Sequence, residues 1–580
     1  MQNAVAFANN DIVTIAWSIE PRPNDCMGFA LYRIDDRGAE TALPAVAVFK
    51  GFQRRRGQTT EQFPLQKFYW KDPYARLVAD ATNNRKFRYR VVPMQGRPGH
   101  LVPMALPQMV TNVVEITSAV SQELHAYFNR GLISTQRVSR SFHGKPTAPS
   151  LLKLISQEGN ALRMSLAGEM IAALTGFLDR AKASGTIYAA LYELNDPELV
   201  GHLEKLGKRL KMVLSSAIAT DSKTKKKSDH NEPARARLAK SAGVEWYRRM
   251  PSNHIGHNKF LVYEDGQGRP RAVLLGATNW TYTGLCAQTN NTVVIDDPAL
   301  ATRYRDYWKR LAADTKAAGQ DSKALQGAKL RGWDHADKEL TLADGSSLDS
   351  WFSPNTAKAR SRSKKKPEPC PVDMAELIKR VNAAKNSILF LAFLPGTPSI
   401  ANWAAAAQRM NKGLFVRGCV TTQATVDTYY YELKGMTQPD GDGRVVDAQA
   451  LDKIIPKGWE KELRSAGHAI VHDKIVVIDA FSDDCVIVTG SHNLGYKASY
   501  DNDENLVMIQ GNKKLATAYA THVLDVYDHF AWRYMVQKHG TKGADQSLKG
   551  TPKEWLDRYF GPDDLNKTAQ LKFWMSAQHP

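Results

Sequence analysis

The sequence predicts an α/β protein in which two similar α/β lobes follow an all-β sandwich domain. Three observations predict it. Residues 1 to 117 alternate apolar and polar positions in short runs, the mark of half-buried antiparallel strands. From residue 118 the pattern changes to helical stretches alternating with continuous apolar strands, as expected of a sheet covered on both faces. Lastly, the twenty-residue segment Gly276 to Ile295 recurs without a gap as Gly490 to Ile509, an offset of 214 positions (276 to 490).

The sandwich is read from five runs: Asp11 to Trp17, Gly28 to Ile34, Ala45 to Phe52, Phe87 to Met94 and Val113 to Thr117. With Trp17 on an early strand and Tyr89 on a late one, residues 1–117 resemble a fibronectin type III module. The resemblance implies a surface or a brace without catalytic residues.

In the first lobe, 118–320, a helical stretch ending Phe177 to Ala183 leads into the apolar strand Thr186 to Leu194, and the strand Arg209 to Ser216 follows another helix. The second lobe, 371–540, repeats that order with Leu377 to Lys385, Ser387 to Leu394 and Gly413 to Val420. Between them, 321–370 reads as a basic linker, and 541–580 is a tail with Trp555, Tyr559, Phe560 and Trp574 available for docking. A repeat of this length means two lobes, not a solenoid of short units.

Composition narrows the function classes. No run approaches the roughly 18 apolar residues of a membrane span, and the start lacks a basic segment followed by an apolar core. A cytoplasmic location in the producing cell is expected, or export by a route that needs no Sec signal. Cys26, Cys286, Cys370, Cys419 and Cys485 are odd in number and without a C-x-x-C, which suits reduced thiols. The net charge of +19 favours polyanionic partners, although Lys223 to Lys227 and Lys358 to Lys366 together hold ten of the positive charges in loop-like sequence.

Each half carries a His-x-Lys that opens an apolar strand: His257 and Lys259 in HNKFLVY, His472 and Lys474 in HDKIVVI. Alternation on a strand points residues i and i+2 to one face, so imidazole and ammonium emerge together. The pair suits a phosphoryl group, which meets a fixed positive charge while the histidine keeps a lone pair for attack. A Gly-x-x-Asn follows 19 and 18 residues later, making Asn279 and Asn493 candidate donors to phosphoryl oxygens, with the Ser491 hydroxyl added in the second copy. His-x-Lys alone arises by chance about once in a chain this long, but two copies inside duplicated sequence do not. His254 with His257, and His468 with His472, are spaced as metal ligands on a helix would be, yet they sit where loops enter strands, so no metal site is assigned.

These motifs resemble those of the phospholipase D superfamily. The second copy carries His472, Lys474, Asp479, Gly490, Ser491, Asn493 and Glu504 in the family spacing, whereas the first has Glu264, Ala277 and Asn290 at the aspartate, serine and glutamate positions. The resemblance, over about residues 120 to 535, implies phospholipase-D-like lobes meeting about a pseudo-twofold axis and a two-step reaction without cofactor or metal. It implies that His257 attacks phosphorus, that His472 serves as acid and base, and that Lys259, Lys474, Asn279 and Asn493 hold the phosphate. It implies further that Glu504 orients His257 across the lobes while Asp479 serves structure more than chemistry. Two substrates follow. Cleavage of a phospholipid head group, with a membrane surface as partner, is favoured by two motifs in one chain and by basic loops. Hydrolysis of DNA or RNA is favoured by the charge, with Trp246, Tyr247 and Trp280 available to stack bases. Both motifs lie in one chain, so no oligomer is required.

Overall fold

Seven strands of the first lobe form one sheet in the order Leu124–Phe128, Asn291–Ile295, Pro270–Gly276, Lys259–Glu264, Thr186–Leu191, Leu210–Ser215, Glu245–Arg249. The second sheet repeats that order with Ser347–Ser353, Glu504–Gln510, Val486–Gly490, Lys474–Ile478, Ser387–Ala392, Phe415–Val420 and Val445–Asp447, and adds Glu339–Thr341 at one edge. In both, the central strand pairs parallel with the next strand in sequence and antiparallel with the His-x-Lys strand. The computed structural model describes residues 2–106, 108–131, 148–220, 226–241, 243–251, 254–361, 368–434, 443–448, 471–543, 547–562 and 564–577.

Central strands such as Ser387–Ala392 are apolar after their first residue because both of their faces are covered, and all six of its residues are buried. Long helices, Pro298–Ala318 and Lys513–Gly543, follow the equivalent strands. Each starts at a side-chain cap three residues ahead of the amide it receives: Asp297 accepts from the Leu300 N–H at 2.7 Å and Asn512 from Leu515 at 2.8 Å.

The span 321–370, read as a linker, is partly structured. It contains the helix Ala328–Asp334, and Ser347–Ser353 pairs along its full length with Glu504–Gln510. Its alternation is short and flanked by polar sequence, so only the partner strand reveals it as part of the second sheet.

Ahead of the lobes stand two antiparallel sheets, one of Gln2–Ala8, Val13–Ile19 and Tyr69–Asp72, the other built on Gly28–Ile34 and Lys86–Arg97. Trp17 against Phe29, with ring centroids 5.3 Å apart, packs one on the other. Ala45 to Phe52 is not a strand. Ala45 and Phe49 pack inward with Phe63, but the Ala45 N–H goes to the Gln58 carbonyl in a loop contact and no ladder forms. The region also holds a helix, Ala75–Thr82, in a span expected to be all β.

The tail docks chiefly on this N-terminal region. Helices Pro552–Phe560 and Leu565–Ser576 bring Trp555 against Phe29 and Phe68, and Trp574 onto Tyr69 at 4.7 Å. The Trp555 indole N–H donates to the Cys26 carbonyl at 3.0 Å. Phe573, from the same tail, stacks on Phe415 of the second lobe.

Candidate active site

The site lies where the two His-x-Lys strands enter their sheets, and each entry is gripped by the opposite lobe. The His257 N–H donates to the Asp503 carbonyl at 2.8 Å, and the His472 N–H to the Thr289 carbonyl at 3.2 Å. Asp503 and Thr289 immediately precede Glu504 and Asn290, so the same exchange brings those side chains to the imidazoles. Glu504 Oε1 lies 2.9 Å from His257 Nδ1, and Asn290 Oδ1 lies 2.9 Å from His472 Nδ1. The imidazole centroids stand 6.4 Å apart in one cleft of about 710 Å³. Residues 215 positions apart in sequence (257 to 472) therefore face one another, about a local twofold.

The second neighbours fix the tautomers. His257 Nδ1 also faces the Ser491 carbonyl at 3.1 Å, so both groups around it are acceptors and the proton sits on Nδ1. Asn290 donates its own Nδ2 to the Gly284 carbonyl at 2.8 Å, which turns Oδ1 towards His472 and places that proton on Nδ1 as well. Nε2 of each ring then carries a lone pair. Behind the rings, Tyr192 packs on His257 at 5.0 Å and Phe393 on His472 at 4.8 Å, another twofold-related pair.

Gly276 and Gly490 end the strands beside the motifs because no side chain fits there. A Cβ at either would lie 2.3 Å from a backbone oxygen, of Asn291 and Asn505 respectively, and both residues have positive φ. That close approach turns the chain so that Asn279 and Asn493 reach the cleft.

Electrostatics in the cleft are dominated by burial of cations. Burial, then Lys259, pushes His257 down to about 4, although Glu504 opposes it. Burial, followed by Lys474 and Lys259, holds His472 well below the ordinary imidazole range. Lys474 is pushed by burial down to about 7, and Lys259 lies well below its usual range through burial and the nearby Lys474. For Glu504 burial acts upward, but His257, His492 and the Asn502 hydrogen bond together outweigh it and the carboxyl falls to about 2. Two ammonium groups that disfavour each other's charge, with two neutral imidazoles above them, describe a site short of one anion.

The lysines lie under the floor of the cleft. Lys259 Nζ donates to the His257 carbonyl at 2.8 Å and sits over the Tyr192 ring, while Lys474 makes the same contacts with the His472 carbonyl and Phe393. Asn493 is held by its backbone N–H, which donates to Glu504 Oε2 at 2.8 Å, and its Nδ2 lies 3.5 Å from Oε1. The Asn279 Nδ2, expected to meet phosphate, instead makes a short hydrogen bond to Glu193.

Two further motif residues have their polar groups engaged outside the cleft. The Ser491 hydroxyl does not face the cleft but accepts from the Asn505 N–H at 3.0 Å and its Nδ2 at 3.2 Å, pinning the turn; Ser491 serves the site through its carbonyl on His257. Asp479 lies five residues along the strand from Lys474, about 16 Å away at the usual rise per residue. Its carboxylate accepts the N–H groups of Lys385, Asn386 and Ser387 at 2.7 to 2.8 Å and so caps the start of the central strand. Glu264, the residue at its place in the first copy, accepts instead from Arg305 at 2.9 Å and the Tyr188 hydroxyl at 3.2 Å.

Of the other residues singled out, His254 lines the cleft beside Asp501. His492 is buried against Ser499 and Asp373 and does not reach the cleft, and Trp280 is a core residue. Tyr247 packs on Trp308, and only Trp246 keeps substantial exposure. His468, Lys223 to Lys225 and Arg362 to Lys366 lie outside the described residues. Sequence reasoning missed Tyr192, Glu193 and Phe393. The signal was there: Thr186 to Leu194 aligns with Ser387 to Pro395 without a gap, which pairs Tyr192 with Phe393 and Glu193 with Leu394.

Residues 175–312 and 377–525 match the family described as "Cardiolipin synthase, PLD-like domain". No curated protein matches the chain. Among solved structures, the phosphatidylserine synthase of Haemophilus influenzae Rd KW20 is 14% identical with a TM-score of 0.41, covering 70% of this chain and 92% of that one. The polyphosphate kinase of Porphyromonas gingivalis is 11% identical with a TM-score of 0.37, covering 91% and 74%. Yeast tyrosyl-DNA phosphodiesterase is 10% identical with a TM-score of 0.33, covering 59% and 88%.

Proposed function

We propose that the phospholipase-D-like domain which this chain carries in two segments is a phosphodiesterase that cleaves phospholipid head groups through a phosphohistidine on His257. One observation carries the reaction: two imidazoles with free Nε2 atoms, 6.4 Å between centroids, share a cleft above two buried lysines. His257 Nε2 attacks phosphorus and the bond to the leaving oxygen breaks. His472 Nε2 gives that oxygen its proton, and then takes one from the water or alcohol that releases the phosphohistidine. Binding an anionic phosphodiester offsets Lys259 and Lys474, which raises His472 towards the protonated state that an acid needs. Glu504 holds the Nδ1 proton of His257 and stabilises the charge the ring gains on attack. His472 faces the neutral Asn290 and surrenders its proton more readily.

The walls of the cleft favour lipid. Leu394, Pro395 and Ala498 form one side, and the apolar Ile218 and Leu394 are exposed at its rim, 42% and 48%. Such a rim suits an acyl-bearing substrate at an interface. The net charge of +19 favours the alternative, a nuclease working by the same two histidines. By its resemblance to a fibronectin type III module, the N-terminal region acts as a brace. The Lys71 ion pair with Asp525 at 2.5 Å supports that role.

The test is to incubate the protein, with EDTA present, with phosphatidylethanolamine or phosphatidylcholine vesicles and separately with plasmid and single-stranded DNA. Head-group release without nicking is expected. Nicking without release favours the nuclease, and loss of all activity in EDTA counts against a metal-free route. His472→Asn quenched in alkaline detergent, where a phosphohistidine survives, should retain labelled phosphate on residue 257, and His257→Asn should retain none; label on residue 472 would reverse the assignment.

A further inference from the structure

Beyond Glu504 and Asn290, the twofold that relates the lobes is also broken next to the ring pair in the cleft wall. Tyr192 and Phe393 match, but the next residues are Glu193 and Leu394. The second lobe shows that the fold accepts an apolar residue here, so the carboxylate is not required to build the strand end. Glu193 lines the cleft, and burial raises its pKa above the ordinary carboxylate range against the opposing pull of Lys259, His230 and Lys474.

A carboxylate beside an anionic substrate is repulsive unless the substrate brings a compensating charge. A second observation indicates which charge. Asn279 is 3% exposed and gives its Nδ2 to Glu193, while its Oδ1, buried in the cleft wall, has no hydrogen-bond partner. Turning the amide over would set Oδ1 against the carboxylate, so the orphan is an acceptor that lacks a donor. Glu193 and Asn279 thus present a carboxyl group and an unfilled acceptor side by side in the cleft wall, and an arriving cation would favour the charged carboxylate.

We infer that Glu193 and Asn279 form a subsite for a primary ammonium group on the substrate's head group. This rests on the phospholipid reading above. Two acceptors with one charge match an ammonium that has N–H bonds to give. A trimethylammonium has none, and a glycerol head group has no charge. Glu193 is therefore a specificity-determining residue that selects an aminoalcohol phosphodiester, and the apolar wall at Leu394 takes the opposite side of the substrate.

The experiment compares kcat/KM on vesicles of phosphatidylethanolamine, phosphatidylcholine and phosphatidylglycerol for the wild-type chain, Glu193→Gln and Glu193→Leu. Wild type should prefer phosphatidylethanolamine. Both variants should lower the ethanolamine-to-glycerol ratio by ~10- to 100-fold, the range for a hydrogen bond to a charged group, chiefly through KM. Calorimetry gives a readout without turnover: O-phosphoethanolamine should bind wild type more tightly than inorganic phosphate does, and that margin should vanish in Glu193→Gln. An equal fall on all three lipids, or an unchanged ratio, overturns the subsite. Cleavage of none of the lipids by wild type overturns the parent reading, whereas cleavage without an ethanolamine preference overturns this inference alone.

Discussion

Replacing Glu504 with Gln removes one charge and almost no volume, and the geometry makes the consequence calculable. Glu504 Oε1 receives His257 Nδ1–H at 2.9 Å and Asn502 Nδ2 at 2.9 Å, and Oε2 receives the Asn493 N–H at 2.8 Å. Every neighbour is a donor. A glutamine has one acceptor oxygen, so its amide NH2 must face either the histidine or the turn that carries Asn493. At 2.9 Å and an effective dielectric of ~20, the attraction between the carboxylate and a fully charged imidazolium is about 6 kcal/mol, a ceiling. Breaking a buried pair of this kind costs about 3 to 5 kcal/mol in practice, or roughly 10²- to 10⁴-fold in rate. The assay is quenched-flow trapping of the phosphoenzyme, with thermal unfolding as a control for the loss of a buried contact. Formation of the intermediate should slow by that factor. A Glu504→Gln enzyme that melts like wild type and forms the intermediate within ~3-fold of its rate would refute the assigned role of this carboxylate.

The remaining predictions are shorter. Asn290→Asp places a carboxylate 2.9 Å from His472 Nδ1, favouring the imidazolium. The acid is lost as pH rises through its pKa, so the basic limb of kcat should move up by ~1 to 3 units; an unmoved limb would remove His472 as the acid. His257, neutral above about pH 4, should impose no loss on the acid side until that range is reached, as a kcat/KM profile between pH 4 and 8 would show. Asp479→Asn should lower stability by about 1.5 to 3 kcal/mol, because an amide cannot accept all three N–H groups at the strand start. Denaturant melts should show that loss with little change in kcat, and the reverse pattern would return Asp479 to the chemistry.

Much of the site was legible because duplication repeats a short pattern whose physics is local. A histidine and lysine two apart on a strand share a face wherever the strand goes, and the glycines at 276 and 490 announce a backbone contact that excludes a side chain. The cross-lobe match of Glu504 with His257 came from resemblance, and the two side chains stand 2.9 Å apart. What sequence alone hid depends on distant partners. Ser491 looks like a phosphate ligand until Asn505, fourteen residues later (491 to 505), claims its hydroxyl. Ala45 to Phe52 alternates like a strand yet makes only an isolated bridge, Phe49 with Leu548, and Ser347 to Ser353 alternates too briefly to stand out yet pairs along its full length. Glu193 belongs to no motif, and only its mismatch with Leu394 marks it.

The joining of Trp555 to the first sheets bears on how the protein comes into being. Its indole fills space between Phe29 and Phe68 and closes the Cys26 carbonyl, so these strands lack part of their own core until a residue 526 positions later (29 to 555) has been made. Domains ordinarily mature from the N-terminus during synthesis. Here that order is interrupted, and the strands around Phe29 must wait, with aromatic surface uncovered, for helices Pro552–Phe560 and Leu565–Ser576. Truncating those helices should therefore be felt first in the strands they cover, hundreds of residues away in sequence.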